Sequence, residues 1–196
     1  MAAKRKRKYE FKPDPSGTNF WKKFYMTRLQ RLTLLKWTLY SLLCVALLVI
    51  QDSMLSRMHL WGATTDLAAA VILLIGIHEG AENGGLFTLI ASAVYWFSGS
   101  APAPYAIVIL TFLVVGISLL RQMFWRRSFG STMLCTGLSI IIYEMAVFLI
   151  GVVMGLTIWD RAGVFFLTAL FSLAFMLPMH WLVSAIGKIG GDSWKE

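Results

Sequence analysis

The stretch that decides the fold is residues 131–155, STMLCTGLSIIIYEMAVFLIGVVMG. It is about the length of a bilayer-spanning helix and carries one carboxylate, Glu144, close to its midpoint. Because a charged group in hydrocarbon costs at least about 2.5 kcal/mol, Glu144 is predicted to face the inside of a helical bundle. Gly137 and Gly151 lie seven residues either side of Glu144 and share its face. Gly155 completes a G-x-x-x-G spacing that favours close helix packing.

The overall composition excludes an ordinary soluble domain. Of the 196 residues, 58% are hydrophobic and only 14% are charged, and the mean hydropathy is +0.68. Soluble domains are about 45–50% apolar and about a quarter charged. Both cysteines, Cys44 and Cys135, lie in apolar segments, which argues against a disulfide framework or a zinc site. The chain is therefore predicted to be an all-α integral membrane protein.

Six apolar segments predict six transmembrane helices, at residues 32–51, 63–77, 84–97, 105–123, 131–155 and 164–186. The second and third segments are short for full spans, so a re-entrant pair is an open alternative. The predicted organisation is a basic tail with an interfacial amphipathic helix over residues 1–31, followed by a six-helix membrane domain over 32–196.

The basic residues predict the orientation of the chain. If the chain has six spans and an inner N-terminus, all Lys and Arg residues except Arg57 and Arg161 fall on the inner side. This count includes Lys36 with the tail and Arg121 with an inner loop. The positive-inside rule then places both termini in the cytoplasm. The tail segment 19–32, NFWKKFYMTRLQRL, interleaves aromatic and basic residues, which is typical of a helix lying on anionic lipid. The run KRKRK favours the same membrane role over a nucleic-acid partner.

Polar residues inside the segments are few, and no motif of a soluble enzyme is present. The chain is therefore predicted to be non-enzymatic, with no cofactor and no metal. Glu144 has two open interpretations: it binds a proton, a cation or a partner, or it only pins helices together by a hydrogen bond. Asp66 favours a capping role at the start of the second helix over a ligand role. His180 and Ser184 follow Pro178, and one hypothesis is that this pair reaches Glu144.

Further glycine spacings occur around the second inner turn. Gly76, Gly80 and Gly84 are four apart, but the spacing crosses a loop boundary. These glycines are therefore predicted to form turns and not to pack helices together.

The order of features resembles the MreD family, the small membrane component of the bacterial cell-elongation (rod-shape) complex. Residues 51–67, QDSMLSRMHLWGATTDL, look like the family's first outer loop and the start of its second helix. Residues 76–110 are similar to its Gly-rich inner turn, third helix, Ser-Gly-Ser loop and fourth helix, with Ser98 and Gly99 in that loop. Glu144 and Pro178 match an acid of helix five and the proline of the last helix. Thr65 replaces the family's usual proline and Tyr95 its usual aspartate.

The resemblance implies a six-helix fold similar to the S-components of energy-coupling-factor transporters, in the bacterial cytoplasmic membrane. It also implies a non-enzymatic scaffold of peptidoglycan synthesis that binds an MreC-like protein and other elongation-complex members. The residues expected to serve partner or ligand binding are Glu144, Asp66, Tyr95, Ser98, Gly99, Pro178 and His180.

Two other function classes remain open. A vitamin-binding transporter subunit is favoured by Trp61, Tyr95, Trp96 and Tyr105 near the outer face, but the first span lacks the A-x-x-x-A pair usual in such subunits. An intramembrane enzyme or proton-coupled carrier would need a charged mate for Glu144 within the membrane.

Overall fold

All regular secondary structure in the described residues is helical, as predicted. The structure is a computed structural model and describes residues 28–53, 63–124 and 128–189. Its helices are α1 (Arg28–Ser53), α2 (Leu67–Glu79), α3 (Ala81–Phe97), α4 (Tyr105–Phe124), α5 (Phe129–Val153) and α6 (Ala162–Gly187). A short 3-10 turn at Trp159–Arg161 leads into α6. Each helix overlaps one predicted apolar segment, so the predicted helix positions are confirmed.

Four of the six helices, α1, α4, α5 and α6, are long and apolar enough to cross a membrane. They indicate a multi-pass membrane protein. α2 has 13 residues and α3 has 17, which at 1.5 Å per residue gives about 20 and 26 Å. Both lengths fall short of the roughly 30 Å hydrocarbon core of a bilayer.

Several sequence predictions lie outside the described residues. They concern the tail helix up to residue 27, the KRKRK run, Arg57 and Trp61. α1 begins at Arg28, so the predicted domain boundary at residue 31 falls within the first turn of this helix.

α2 is the centre of the bundle. All of its residues except His78 are buried, and it contacts each of the other five helices. A helix that is apolar on every side is stable only when other elements surround it completely. The sequence predicts that the other helices pack around α5. In the structure they pack around α2, and α5 is one of its neighbours.

The α2–α3 connection is a single residue, Gly80, whose φ of 99° lies in the region that favours glycine. Next to it the two backbones approach so closely that a Cβ on Gly84 would lie 2.0 Å from the Gly76 carbonyl oxygen. A Cβ on Gly76 would lie 2.4 Å from the Thr88 hydroxyl. The prediction that these glycines serve only as turn formers is confirmed for Gly80 and wrong for Gly76 and Gly84, which are packing residues.

Two of the basic residues counted on the predicted inner side, Lys36 and Arg121, lie within helices and are buried. Lys36 lies in α1, and its Nζ is 2.5 Å from Oε2 of Glu79 at the end of α2. The Tyr40 hydroxyl donates to Oε1 of the same carboxylate at 2.8 Å. Arg121 lies in the last turn of α4 and donates from Nη1 to the Ile77 carbonyl oxygen at 2.8 Å. Basic groups of α1 and α4 therefore hold the C-terminal end of α2.

We expect Gly84→Ala to destabilise the protein by about 1–3 kcal/mol, because the added methyl group overpacks the contact with Gly76. The control is Gly116→Ala in α4, where a Cβ meets no atom within 4 Å. That change should be neutral or stabilise by up to about 1 kcal/mol, because Ala is the better helix former. Thermal unfolding of the purified protein in detergent compares the two; equal melting temperatures would contradict the close-approach assignment.

We expect Lys36→Met to destabilise the protein by about 3–5 kcal/mol, because it leaves the Glu79 carboxylate buried without its cation. The double variant Lys36→Met/Glu79→Gln should recover much of this loss, because the neutral amide still accepts the Tyr40 hydrogen bond. Arg31→Met, an exposed change on the same helix, serves as the control and should stay within about 0.5 kcal/mol of the parent. Additive effects of the two changes in chemical unfolding would refute the pairing.

Candidate functional site

Three of the predicted site residues lie together at the N-terminal end of α2. Asp66, Tyr95 and Glu144 line one cavity of about 250 Å³, which we call the acidic cavity. The end of α1, the segment before α2, the segment after α3, and the helices α5 and α6 supply the rest of its wall, with the lining residues Gln51, Thr64, Thr65, Ser100, Pro102, Tyr143, Val147, Val164, Phe165 and Thr168.

Asp66 caps α2, as predicted. Its Oδ1 accepts a hydrogen bond of 3.1 Å from the Ala69 N–H, which satisfies one of the free donors at the start of the helix. Its Oδ2 accepts a second hydrogen bond of 2.7 Å from the hydroxyl of Tyr95 at the far end of α3. One carboxylate therefore both starts α2 and joins it to α3.

Other helices satisfy two more backbone donors here. The Gln51 Oε1, near the end of α1, accepts from the Ala68 N–H at 2.7 Å. The Ser172 hydroxyl in α6 accepts from the Asp66 N–H at 3.0 Å and donates to the Thr168 carbonyl oxygen at 2.8 Å. Unsatisfied backbone groups in a dry interior cost several kcal/mol each, so these side chains stabilise the N-terminal end of α2.

Glu144 faces inward, as predicted, and only 6% of its surface is exposed. Gly137 and Gly151 are buried on the same side of α5, which confirms the shared face. Between described residues, the Lys36–Glu79 ion pair and the contact of His78 with Glu79 lie at the opposite end of α2, and neither involves Glu144. The nearest charged group along the cavity wall is the second carboxylate, Asp66.

A buried phenol hydroxyl, that of Tyr143, belongs to the same wall. Tyr143 is 1% exposed, and its hydroxyl lies beside that of Tyr95 without reaching hydrogen-bonding geometry to any described group. The acidic cavity thus combines two carboxylates and two phenol groups. Such a set can coordinate a small cation, accept hydrogen bonds from a protonated amine or water, or hold one proton between the two acids.

The structure places His180 elsewhere. It lies with His78 and Arg121 around a second cavity at the C-terminal end of α2, so the hypothesis that His180 and Ser184 reach Glu144 is wrong. Pro178 is within α6 on an exposed position and lines neither of these cavities.

Ser98 and Gly99 form the turn after α3. Ser98 donates from its hydroxyl to the Tyr95 carbonyl oxygen at 2.8 Å, and Gly99 has a φ of 80°. Ser100 donates to Oδ1 of Asp52 at 2.7 Å, which ties this turn to the end of α1. The Ser-Gly-Ser segment therefore supports the rim of the acidic cavity.

The three glycines predicted to pack helices together have different surroundings. A Cβ on Gly137 would meet Leu173 of α6 at 2.9 Å, so close packing is confirmed there. Gly151 packs against Thr157 in the following loop. Gly155 lies beyond the end of α5 with a φ of 71° and no atom near its Cβ position, so its assignment as a helix-packing residue is wrong.

Sequence reasoning missed the roles of Gln51, Tyr143 and Ser172. The position of the Gln51 amide at the end of an apolar run could have indicated its role, because polar groups at membrane depth need hydrogen-bond partners. Tyr143 directly precedes Glu144, and both line the acidic cavity. Because consecutive helix residues point about 100° apart, helical periodicity predicts only one of the two on the inward face.

Comparisons with known proteins found no matching family model, no matching curated protein and no matching solved structure.

We expect Asp66→Ala to destabilise the protein by about 1–3 kcal/mol, because it removes the cap of α2 and leaves the Tyr95 hydroxyl buried without an acceptor. Asp66→Asn keeps an acceptor oxygen and should retain most of the stability. Asp160→Ala, in the exposed turn before α6, is the matched control and should have little effect. Thermal unfolding measures all three; a loss for Asp66→Asn as large as that for Asp66→Ala would show that the charge itself is required.

Proposed function

We propose that this chain is a non-enzymatic membrane scaffold of the bacterial cell-wall elongation complex, binding an MreC-like protein and other members of that complex. The resemblance of residues 51–67 and 76–110 to MreD supports this proposal. In this proposal, all six helices lie in the cytoplasmic membrane, and their arrangement is similar to that of transporter S-components. The basic tail contacts anionic lipid, and the surplus of Lys and Arg on one side supports cytoplasmic termini.

The observation that carries the proposal is an apolar groove between α1 and α3, which we call the α1–α3 groove. It has a volume of about 350 Å³. Its edge on α3 is a stripe of exposed residues four apart, Leu86, Ile90 and Val94. Its floor includes the small side chains of Cys44 and Ala91, each 8% exposed.

A groove of this form suits a single apolar helix. Residues four apart on α3 present a continuous ridge, and a floor of small side chains lets a second helix approach closely. Ser41 and Asn83 line the same groove and are exposed, so a hydrogen bond to the incoming helix is available within the contact. We assign this groove to the membrane-spanning helix of the MreC-like partner.

Short loops favour binding through helix faces. The α3–α4 connection covers residues 98–104, and α5 and the turn before α6 are separated by residues 154–158. Neither segment is long enough for a folded domain. A scaffold with such loops contacts its partners mainly within the membrane.

The test uses Ile90→Trp, which places a large ring in the middle of the α1–α3 groove. Ile90 is 60% exposed, so the change should leave the fold intact. We expect recovery of the MreC-like partner in pull-down to fall about tenfold, equivalent to about 1.4 kcal/mol, because the ring occupies the volume of the partner helix. Cells of a rod-shaped host that rely on this variant should become round.

The matched control is Leu138→Trp on α5, where the parent side chain is 49% exposed but outside the groove. It should bind the partner as the parent protein does. Equal binding by Ile90→Trp and the parent would reject the groove, and failure of the parent to recover any MreC-like protein would reject the scaffold function.

The acidic cavity supports a second candidate, the vitamin-binding subunit of an energy-coupling-factor transporter. Aromatic and polar groups, including Tyr95 and Tyr143, line it at the predicted outer end. Its volume of about 250 Å³ lies below the roughly 300–1,000 Å³ of typical small-molecule pockets, which favours the scaffold. Tight co-purification of a vitamin without an MreC-like partner would reverse this preference.

A further inference from the structure

The outer face of α3 carries a stripe of exposed apolar side chains, which we call the α3 lipid stripe. It consists of Leu86, Leu89 and Phe97, which recur at helical spacing and therefore share one face. Leu89 and Phe97 do not line the α1–α3 groove. This face is therefore open to lipid even when a partner helix occupies the groove.

Polar residues end the α3 lipid stripe on both sides. Glu82, in the first turn of α3, is exposed and lies four residues before Leu86 on the same face. At the other end Ser98, also exposed, begins the turn that leads to α4. A charged carboxylate in hydrocarbon is costly, and irregular backbone that faces lipid is not tolerated within the hydrocarbon. Both positions therefore belong at the depth of the lipid headgroups.

Helix geometry limits the distance between these two ends. Glu82 and Ser98 are 16 positions apart in the chain. At a rise of 1.5 Å per residue this is about 24 Å, and a tilted helix covers less of the membrane normal. The hydrocarbon core of a typical bilayer is about 30 Å thick. The outer face of α3 therefore falls short of it by about 6 Å or more.

The neighbouring helix α1 does not share this shortfall. Its exposed charged residues Arg31 and Asp52 are 21 positions apart, which is about 32 Å along the helix. Between them, Lys36 is buried against Glu79, while apolar side chains such as Leu42 are exposed. α1 therefore matches an ordinary bilayer with a small tilt. Two neighbouring sides of the bundle require hydrocarbon layers of different thickness.

We propose that the bilayer thins beside α3, so that lipid headgroups reach Glu82 at one end of this helix and Ser98 at the other. A bilayer accommodates a short apolar surface by local thinning, at a modest cost per ångström. The partner of this face is therefore a lipid surface with a hydrocarbon layer thinner than the one that α1 requires. The inference goes beyond the scaffold function and does not depend on it, because Leu89 and Phe97 lie outside the α1–α3 groove.

Depth measurements on the full chain in dioleoylphosphatidylcholine vesicles test the proposal directly. Nitroxide labels are attached in separate samples to Glu82→Cys and Ser98→Cys, and collisions with oxygen and with a water-soluble nickel chelate report the depth of each label. We expect both labels at headgroup depth, although positions about 24 Å apart cannot both reach it in an unthinned bilayer. Cys44 and Cys135 are buried, so the parent chain measures background labelling.

The matched control is a pair of labels on α1, at Leu34→Cys and Ile50→Cys. These two positions are also 16 apart and both are exposed. They lie between Arg31 and Asp52, so we expect both labels within the hydrocarbon. Each should be at least about 3 Å deeper than the corresponding label on α3, which is half of the shortfall at each end. Equal depths for the two pairs would overturn the proposal.

A second measurement lengthens the apolar face. Glu82→Leu extends the α3 lipid stripe by one turn, and thermal unfolding in nanodiscs of phosphatidylcholines with increasing acyl-chain length gives the lipid in which the melting temperature is highest. We expect this optimum to move to acyl chains longer by about two carbons or more. Asp160→Leu, in the exposed turn before α6, makes the same kind of change away from α3 and should leave the optimum where it is in the parent.

The remaining outcomes each contradict local thinning. A label at residue 82 within the hydrocarbon, with the label at residue 98 among the headgroups, would favour a re-entrant α2–α3 pair. Labels at both ends of α3 that neither oxygen nor the nickel chelate reaches would show that another protein, or a second copy of the chain, covers this face. An optimal acyl-chain length that Glu82→Leu does not change would show that the length of the stripe does not set the bilayer thickness.

Discussion

The constraint on which this fold depends is the burial of α2 on every side. A helix leaves four N–H and four C=O groups without partners at its two ends, and in a water-poor interior each must find one. Here side chains around α2 supply partners for several of them: Gln51, Asp66 and Ser172 at the first turn, and Arg121 at the last. The surrounding helices are therefore held in register by the backbone ends of α2 as well as by apolar packing.

This arrangement also sets the electrostatic asymmetry of the bundle. The backbone N–H groups at the start of α2 need acceptors, and an amide and a carboxylate provide them. The backbone carbonyl groups at its other end need donors, and Arg121 provides one. The signs agree with the helix dipole, which favours anions at the N-terminus and cations at the C-terminus. The acidic cavity borders the first of these ends, and the cavity lined by His78, Arg121 and His180 borders the second.

The outer helices carry the surfaces that face lipid and partners. α1 and α3 part along the α1–α3 groove, while Lys36 and Tyr40 of α1 hold Glu79. One helix thus joins the centre of the bundle to the surface proposed for the partner. The groove and the ion pair at the end of α2 are separate features of the same helix.

The sequence by itself determined the helices, the inward direction of Glu144 and the cap at Asp66. These depend on local information: the length of an apolar run, the position of an acid within it, and a hydrogen bond across three residues. Only the tertiary structure decided that α2 is central, because a helix apolar on all faces shows no preferred side. It also decided the burial of Lys36, the contact of Gly76 with Gly84 and the place of His180 beside Arg121. Those depend on which helix faces meet, and the local sequence carries no signal of that pairing.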